Sequence, residues 1–149
     1  MALRKKEEFW YGDNLEDLRD ELVRYSQEGY PINEFAQCIC KCGSDRFAVA
    51  MDDLEGVAAR LCLDCEDEHV MGDGGDYMSG AELTRCTCVC DKDEFQVLVG
   101  INLHSDSGGP LSSVRWFYLG CRCTHCGLVA CFGDWKNEYD DWEDLLNSV

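Results

Sequence analysis

Two triplets of alternating cysteines and two C-x-x-C pairs hold most of the chemically reactive side chains of this chain. The first triplet opens "CICKCGSDRF" at residues 38–47, and the second opens "CTCVCDKDEF" at 86–95, in the same phase and ending on the same Phe. The pairs are Cys62 with Cys65 and Cys123 with Cys126. Thiolates this closely spaced can share one metal ion. Neighbours in C-x-C point to the same side of a strand and seldom bridge each other without strain. Twelve cysteines in 149 residues therefore read as metal ligands in a reducing compartment rather than as a disulfide framework. The opening "MALRKKEEFW" has basic residues but no apolar stretch behind them, so no export signal is expected and a cytoplasmic home follows.

Each triplet begins a longer pattern. An apolar strand follows, then a turn rich in Gly, Asp or Ser, then a second strand holding an arginine, then the C-x-x-C pair. Beyond the pairs the chain reads Met71-Gly72-Asp73 in the first copy and Phe132-Gly133-Asp134 in the second. Two copies are too few for a solenoid, so a pseudo-symmetric pair of small modules is expected, with the longer hairpin in the second.

A C-x-C knuckle, a hairpin and a C-x-x-C knuckle resemble a zinc ribbon, and the resemblance runs through both copies. It implies a small antiparallel sheet per copy, each pinned by one four-coordinate zinc, about two ions in all. The usual first knuckle is C-x-x-C followed by Gly, so C-x-C leaves the choice within each triplet open. Gly43 directly after Cys42 suits a knuckle turn with positive φ. That favours Cys40, Cys42, Cys62 and Cys65 for the first site, and by alignment Cys88, Cys90, Cys123 and Cys126 for the second. Cys38, Cys86, Cys121 or His69 are the possible substitutes. As leftovers, Cys38, Cys86, Cys121 and Cys131 read as small buried apolar residues, or as redox-active thiols. A closed four-thiolate site keeps no position for water and so holds structure instead of activating a nucleophile.

The elements that must position these ligands can be read coarsely. Residues 15–27 place Leu15, Leu18, Leu22 and Tyr25 on one helical face, with Asp13 or Asn14 as cap and Gly29 and Pro31 as stops. Strands are expected at 34–40, 46–51, 57–62, 95–103 and 113–120, with shorter ones at 68–71 and 128–132. "GDGGDYMSG", 72–80, reads as a linker. In "DWKNEYDDWEDLLNSV" the residues Trp135, Tyr139, Trp142 and Leu146 suggest an amphipathic helix capped by Asp134. The expected fold is a small α+β unit, two pseudo-repeated antiparallel ribbon sheets flanked by N- and C-terminal amphipathic helices. Its parts are a helical segment at 1–33, ribbons at 34–75 and 76–133, and a helix at 134–149.

Charge narrows the function. Thirty acidic side chains against 13 basic ones give a formal net charge of −17, and a zinc held by four thiolates adds about −2. Such a surface repels nucleic-acid phosphates and attracts basic partners. The basic residues are scattered apart from Arg4, Lys5 and Lys6, so a nucleic-acid-associated ribbon is the weaker alternative. Nucleophile-elbow, phosphate-loop, zincin and deaminase motifs are absent, and no enzyme is expected. No apolar run is long enough to span a membrane. A small acidic chain without catalytic motifs also resembles, in format, the bacterial immunity proteins that neutralise polymorphic or contact-dependent toxins. That resemblance implies a cognate toxin, or another basic protein, as partner. Candidate contacts are Trp116 and Tyr118 among the aromatics, and Glu138, Asp140, Asp141, Glu143 and Asp144 near the C-terminus. A redox or metal-responsive role for the spare thiols is a further alternative.

Overall fold

A computed structural model of the chain describes residues 3–104 and 113–149. The tip of the second hairpin, 105–112, which holds most of its predicted Gly- and Ser-rich turn, lies outside the described residues. The chain begins with a hairpin of β1 (Arg4–Lys6) and β2 (Phe9–Tyr11), followed by helix α1 (Leu15–Ser26). Then come β3 (Glu34–Gln37), β4 (Phe47–Asp52), β5 (Val57–Cys62) and β6 (Glu68–Val70). A 3-10 segment, Gly74–Gly80, leads to β7 (Thr84–Arg85), β8 (Phe95–Leu103), β9 (Val114–Cys123), β10 (Leu128–Lys136) and helix α2 (Trp142–Leu146).

The strands form one antiparallel sheet in the order β1-β2-β10-β9-β8-β4-β5-β6, with β3 added on β8 and β7 on β4. Among the described residues a single pair, Phe47 opposite Phe95, joins β4 to β8. Those phenylalanines are the last residues of the two quoted cysteine motifs, and both are fully buried. The leading strands cross over. Ala36 and Gln37 of β3 pair with Val99 and Leu98 of β8, while Thr84 and Arg85 of β7 pair with Met51 and Ala50 of β4. The next step repeats the exchange: the Cys38 amide donates to the Val97 carbonyl at 3.0 Å, and the Cys86 amide to the Val49 carbonyl at 2.8 Å.

Alternating apolar residues explain the strands. Val97, Val99 and Ile101 of β8 face the main core with Phe117, Leu119 and Cys121 of β9. The other face of β8 and β10 presents Leu98 and Val129 to α1, whose Leu18 and Leu22 are completely buried against them. Helix α1 starts where Asn14 accepts a hydrogen bond from the Asp17 amide, which satisfies one orphan donor of the first turn. No helix of the described residues is long and apolar enough to cross a membrane.

Three expectations are corrected. The strands of both expected ribbons belong to one continuous sheet instead of two, because the Phe47–Phe95 pair and the crossing strands β3 and β7 join them. The N-terminus is a β-hairpin before it is a helix: Glu7 takes φ of 60° to turn it, and β2 pairs with β10 at Leu128 and Val129. The C-terminal helix does not start after Asp134. Strand β10 continues through Asp134 to Lys136, past an irregularity between Cys131 and Gly133. Trp135 is buried there and stacks on Phe117, centroids 5.0 Å apart. The burial of a large aromatic against the sheet outweighs the helical spacing of these residues. The helix that follows is Trp142–Leu146, with Asp141 as N-cap accepting from the amides of Glu143 and Asp144.

Candidate metal centres and candidate partner surface

Each hairpin carries its cysteines at the end nearest the Phe47–Phe95 joint. Cys62 closes β5 opposite Phe47, and Cys123 closes β9 opposite Phe95. The knuckle turns have matching hydrogen bonds. The Cys40 amide donates to Ser44 and the Gly43 amide returns to Cys40, both at 2.8 Å; the Cys88 amide donates to Lys92 at 2.8 Å and the Asp91 amide to Cys88 at 2.9 Å. These turns need positive φ, which Gly43 supplies at 93° and Asp91 at 72°. Aspartate is among the few non-glycine residues that tolerate that region.

These turns converge on two groups of four sulfurs, Cys40, Cys42, Cys62 and Cys65, and Cys88, Cys90, Cys123 and Cys126; within each, all four lie within 4.8 Å of one another. In the first group Cys40 to Cys65 is 3.4 Å and Cys42 to Cys62 is 3.6 Å. In the second, Cys88 to Cys126 is 3.5 Å and Cys90 to Cys123 is 3.7 Å. A disulfide would hold sulfurs about 2 Å apart. A tetrahedron with metal–sulfur bonds of about 2.3 Å has edges of about 3.8 Å, so the donor sets fit a four-coordinate ion. Cys42 and Cys65 are exposed, whereas Cys90 and Cys126 are half-buried.

Sulfurs this close share protons unequally. For Cys62, burial acts upward, but the amides of Cys65 and Asp64 and the thiols of Cys42 and Cys40 outweigh it and hold the group near 6. Cys90 is also lowered: burial opposes, and the Lys92 amide with the thiols of Cys123 and Cys88 prevails. A bound dication favours the thiolate at every corner, and its binding releases the protons.

Cys38, Cys86, Cys121 and His69, considered as substitute ligands, lie outside both groups. Burial pushes the thiol of Cys38 up to about 12, that of Cys86 to about 11 and that of Cys131 to about 12. Cys121 is fully buried in the main core. Cys38 and Cys121 are packed thiols with no exposed surface, whereas Cys86 and Cys131 are half-buried. The His69 ring lies 2.6 Å by Nε2 from the Ser148 carbonyl, a structural contact.

The partner-surface candidates separate. Tyr118 is only 3% exposed, its hydroxyl donating to the Tyr30 carbonyl at 2.7 Å. It is a packing residue, which corrects its expected contact role. Trp116 is half-buried, tilted against Tyr30 and bonded through Nε1 to Asp134. Glu138, Asp140, Asp141, Glu143 and Asp144 are all exposed, but they do not share one helical face. Glu138 pairs with Lys136 at 3.2 Å ahead of the helix, Asp141 caps it, and Asp144 accepts from the Tyr139 hydroxyl.

Comparison with protein-family models, with curated proteins and with solved structures finds no match to this chain. Fold and site together define a sheet-dominated protein with two four-cysteine centres, each of which could hold a metal ion.

Proposed function

We propose that this chain is a non-enzymatic, zinc-stabilised protein-binding module of two related ribbon-like halves, and that it covers a basic site on a partner protein. The observation that carries the reading is the pair of four-sulfur groups. With all corners of each tetrahedron supplied by the protein, the ion has a structural role. Zinc is the ion of choice because an all-thiolate tetrahedron suits its softness, and zinc imposes no geometry of its own. The duplication reading draws support from the sheet order, which reads outward from Phe47 as β4-β5-β6 and from Phe95 as β8-β9-β10. The reciprocal crossing of β3 and β7 supports it too.

Partner chemistry follows from charge. With a net charge of −17, encounter with a basic protein is accelerated and encounter with phosphate backbones is opposed. An immunity-type inhibitor of a toxin with a basic cleft is the specific form proposed, and a reducing compartment such as the cytoplasm suits a chain with twelve cysteines. The test pairs elemental analysis with binding. Protein purified without chelator contains about two zinc ions per chain, and the product of the adjacent gene binds it tightly, more weakly as salt rises. Metal-free folded protein refutes the first half of the proposal; capture of nucleic acid alone refutes the second.

A further inference from the structure

The C-terminal residues fill a slot beside β6. The Ser148 carbonyl accepts from the Gly72 amide at 2.8 Å, and Arg60 Nε donates to the Val149 carbonyl at 2.8 Å. Val149 is buried in the main core with Leu145. Aligning the two halves on their C-x-x-C pairs gives the matching position in the other half. Arg60 corresponds to Cys121, His69 to Ala130, Met71 to Phe132 and Gly72 to Gly133. No terminal segment lies there among the described residues. Instead there is an open groove of about 710 Å³, with Met51, Cys86, Ala130 and Phe132 in its lining, within the size range of ligand clefts, about 300–1,000 Å³.

Both walls of this groove carry strand edges. Strand β10 pairs with β2 only at Leu128 and Val129, so beyond Val129 that side has no strand partner among the described residues. Opposite it, β7 pairs only with β4 among the described residues. Unpaired edges are templates for an added strand. Apolar side chains stand uncovered at the groove, Leu54 at 94% and Val89 at 56% exposure. Its charges are mainly negative. Asp52, Asp53 and Glu82 line it, and Arg85 is already paired with Asp93 at 3.0 Å. The Asp52 carboxylate is fixed by the amides of Leu54, Glu55 and Glu82. The slot beside β6 offers Arg60 and His69 to the carbonyls of Val149 and Ser148, whereas this one offers carboxylates.

We infer that the groove between β7 and β10 takes an extended segment of a basic partner protein as an added strand on the β10 edge. Its apolar side chains face Met51, Ala130 and Phe132, and its Lys or Arg side chains face Asp52, Asp53 and Glu82. This rests on the partner-binding reading above and names its surface. The probes are short fluorescent peptides, one alternating Leu with Lys, one carrying the same Lys count among Ser, and one alternating Leu with Glu. With metal-loaded protein near physiological salt, anisotropy should show the Leu–Lys peptide binding at least about tenfold tighter than either control, a difference of about 1.4 kcal/mol. Ala130→Trp, which fills the groove, and Glu82→Lys should each remove that preference with metal content unchanged. In the unaltered protein the peptide should slow amide exchange at Ala130–Gly133 and Thr84–Cys86. Equal binding of the Leu–Lys and Ser–Lys peptides, or protection elsewhere, overturns the groove and leaves an acidic binder by general charge. No binding of either basic peptide overturns the groove and counts against the partner reading as well.

Discussion

Gly120 on β9 shows how closely α1 is fitted to one half of the sheet. A Cβ at this position would lie 2.5 Å from Leu22 Cδ1 and 2.9 Å from the Leu98 carbonyl oxygen. Carbon pairs in contact sit about 3.5–4.0 Å apart, so Leu22 would have to retreat by about 1 Å. Leu22 is fully buried, and the Leu98 carbonyl belongs to the β8–β9 ladder directly opposite Gly120. Neither neighbour can give cheaply, and overpacking of this kind costs about 1–3 kcal/mol. For a chain of this size each kcal/mol shifts Tm by about 2–4 °C. Gly120→Ala should therefore lower Tm by about 2–12 °C, with faster amide exchange along α1 and unchanged metal content. The corresponding residue in the other half is Ala59, and α1 packs against β8, β9 and β10 instead. Ala59→Gly should cost no more than the intrinsic loss of about 1 kcal/mol for glycine in a strand. A Gly120→Ala protein that melts with the parent, or α1 protection left intact, would refute the claim that Leu22 on Gly120 seats the helix.

Cys62→Ser and Cys123→Ser should each lower zinc content from about two ions per chain to about one, read by elemental analysis; retention of both would disprove the assignment of donors. Chelation of both ions should unfold the protein by circular dichroism, because a structural zinc contributes about 10–16 kcal/mol in small domains against a whole-domain stability of about 5–15. Arg60→Met removes the hydrogen bond to Val149 and the guanidinium 4.7 Å from the Phe47 ring. It should cost about 1.5–3 kcal/mol in denaturant titration, with loss of exchange protection at 144–149. Burial raises the pKa of Asp73, against the hydrogen bond donated by Asn137. A carboxyl with a raised folded pKa binds its proton more tightly when folded, so its penalty is absent below the ordinary aspartate range and grows as pH rises through it. Asp73→Asn should therefore stabilise the protein at neutral pH and remove that part of the pH dependence.

The sequence revealed what is locally periodic or closely spaced. The expected strands 57–62 and 95–103 coincide with β5 and β8, because continuous apolar or alternating runs there are bounded by turn residues. Of the two cap residues the sequence offers, Asp13 and Asn14, Asn14 is the one that caps α1. The two cysteine clusters were legible because a C-x-C-x-C triplet followed by a C-x-x-C pair occurs twice in the chain. The missed features are long-range or irregular. Strands of three residues turned by Glu7, with no glycine, leave almost no local pattern for β1 and β2. In β10, the irregularity between Cys131 and Gly133 breaks the alternation, and Trp135, Tyr139 and Trp142 then imitate a helical face. Tyr118 sits in a run of three aromatics, and only the packing of Tyr30 and Tyr25 around it decides which way it points.

The crossing of β3 and β7 accounts for three cysteines in each triplet when a tetrahedral site needs two. The first member still belongs to the crossing segment. Cys38 and Cys86 donate their amides to the opposite half's Val97 and Val49; the Cys38 side chain is fully buried in the main core, and that of Cys86 is half-buried against it at the groove. Two residues later the chain has left that ladder and turned into its own knuckle, where Cys40 with Cys42 and Cys88 with Cys90 meet sulfurs from their own hairpins. The alternation thus changes task within five residues, from packing against the other half to closing its own. Neither hairpin can then keep its edge covered without the leading strand of the other. Loss of one metal site should accordingly be felt across the Phe47–Phe95 joint as lower stability of the remaining site.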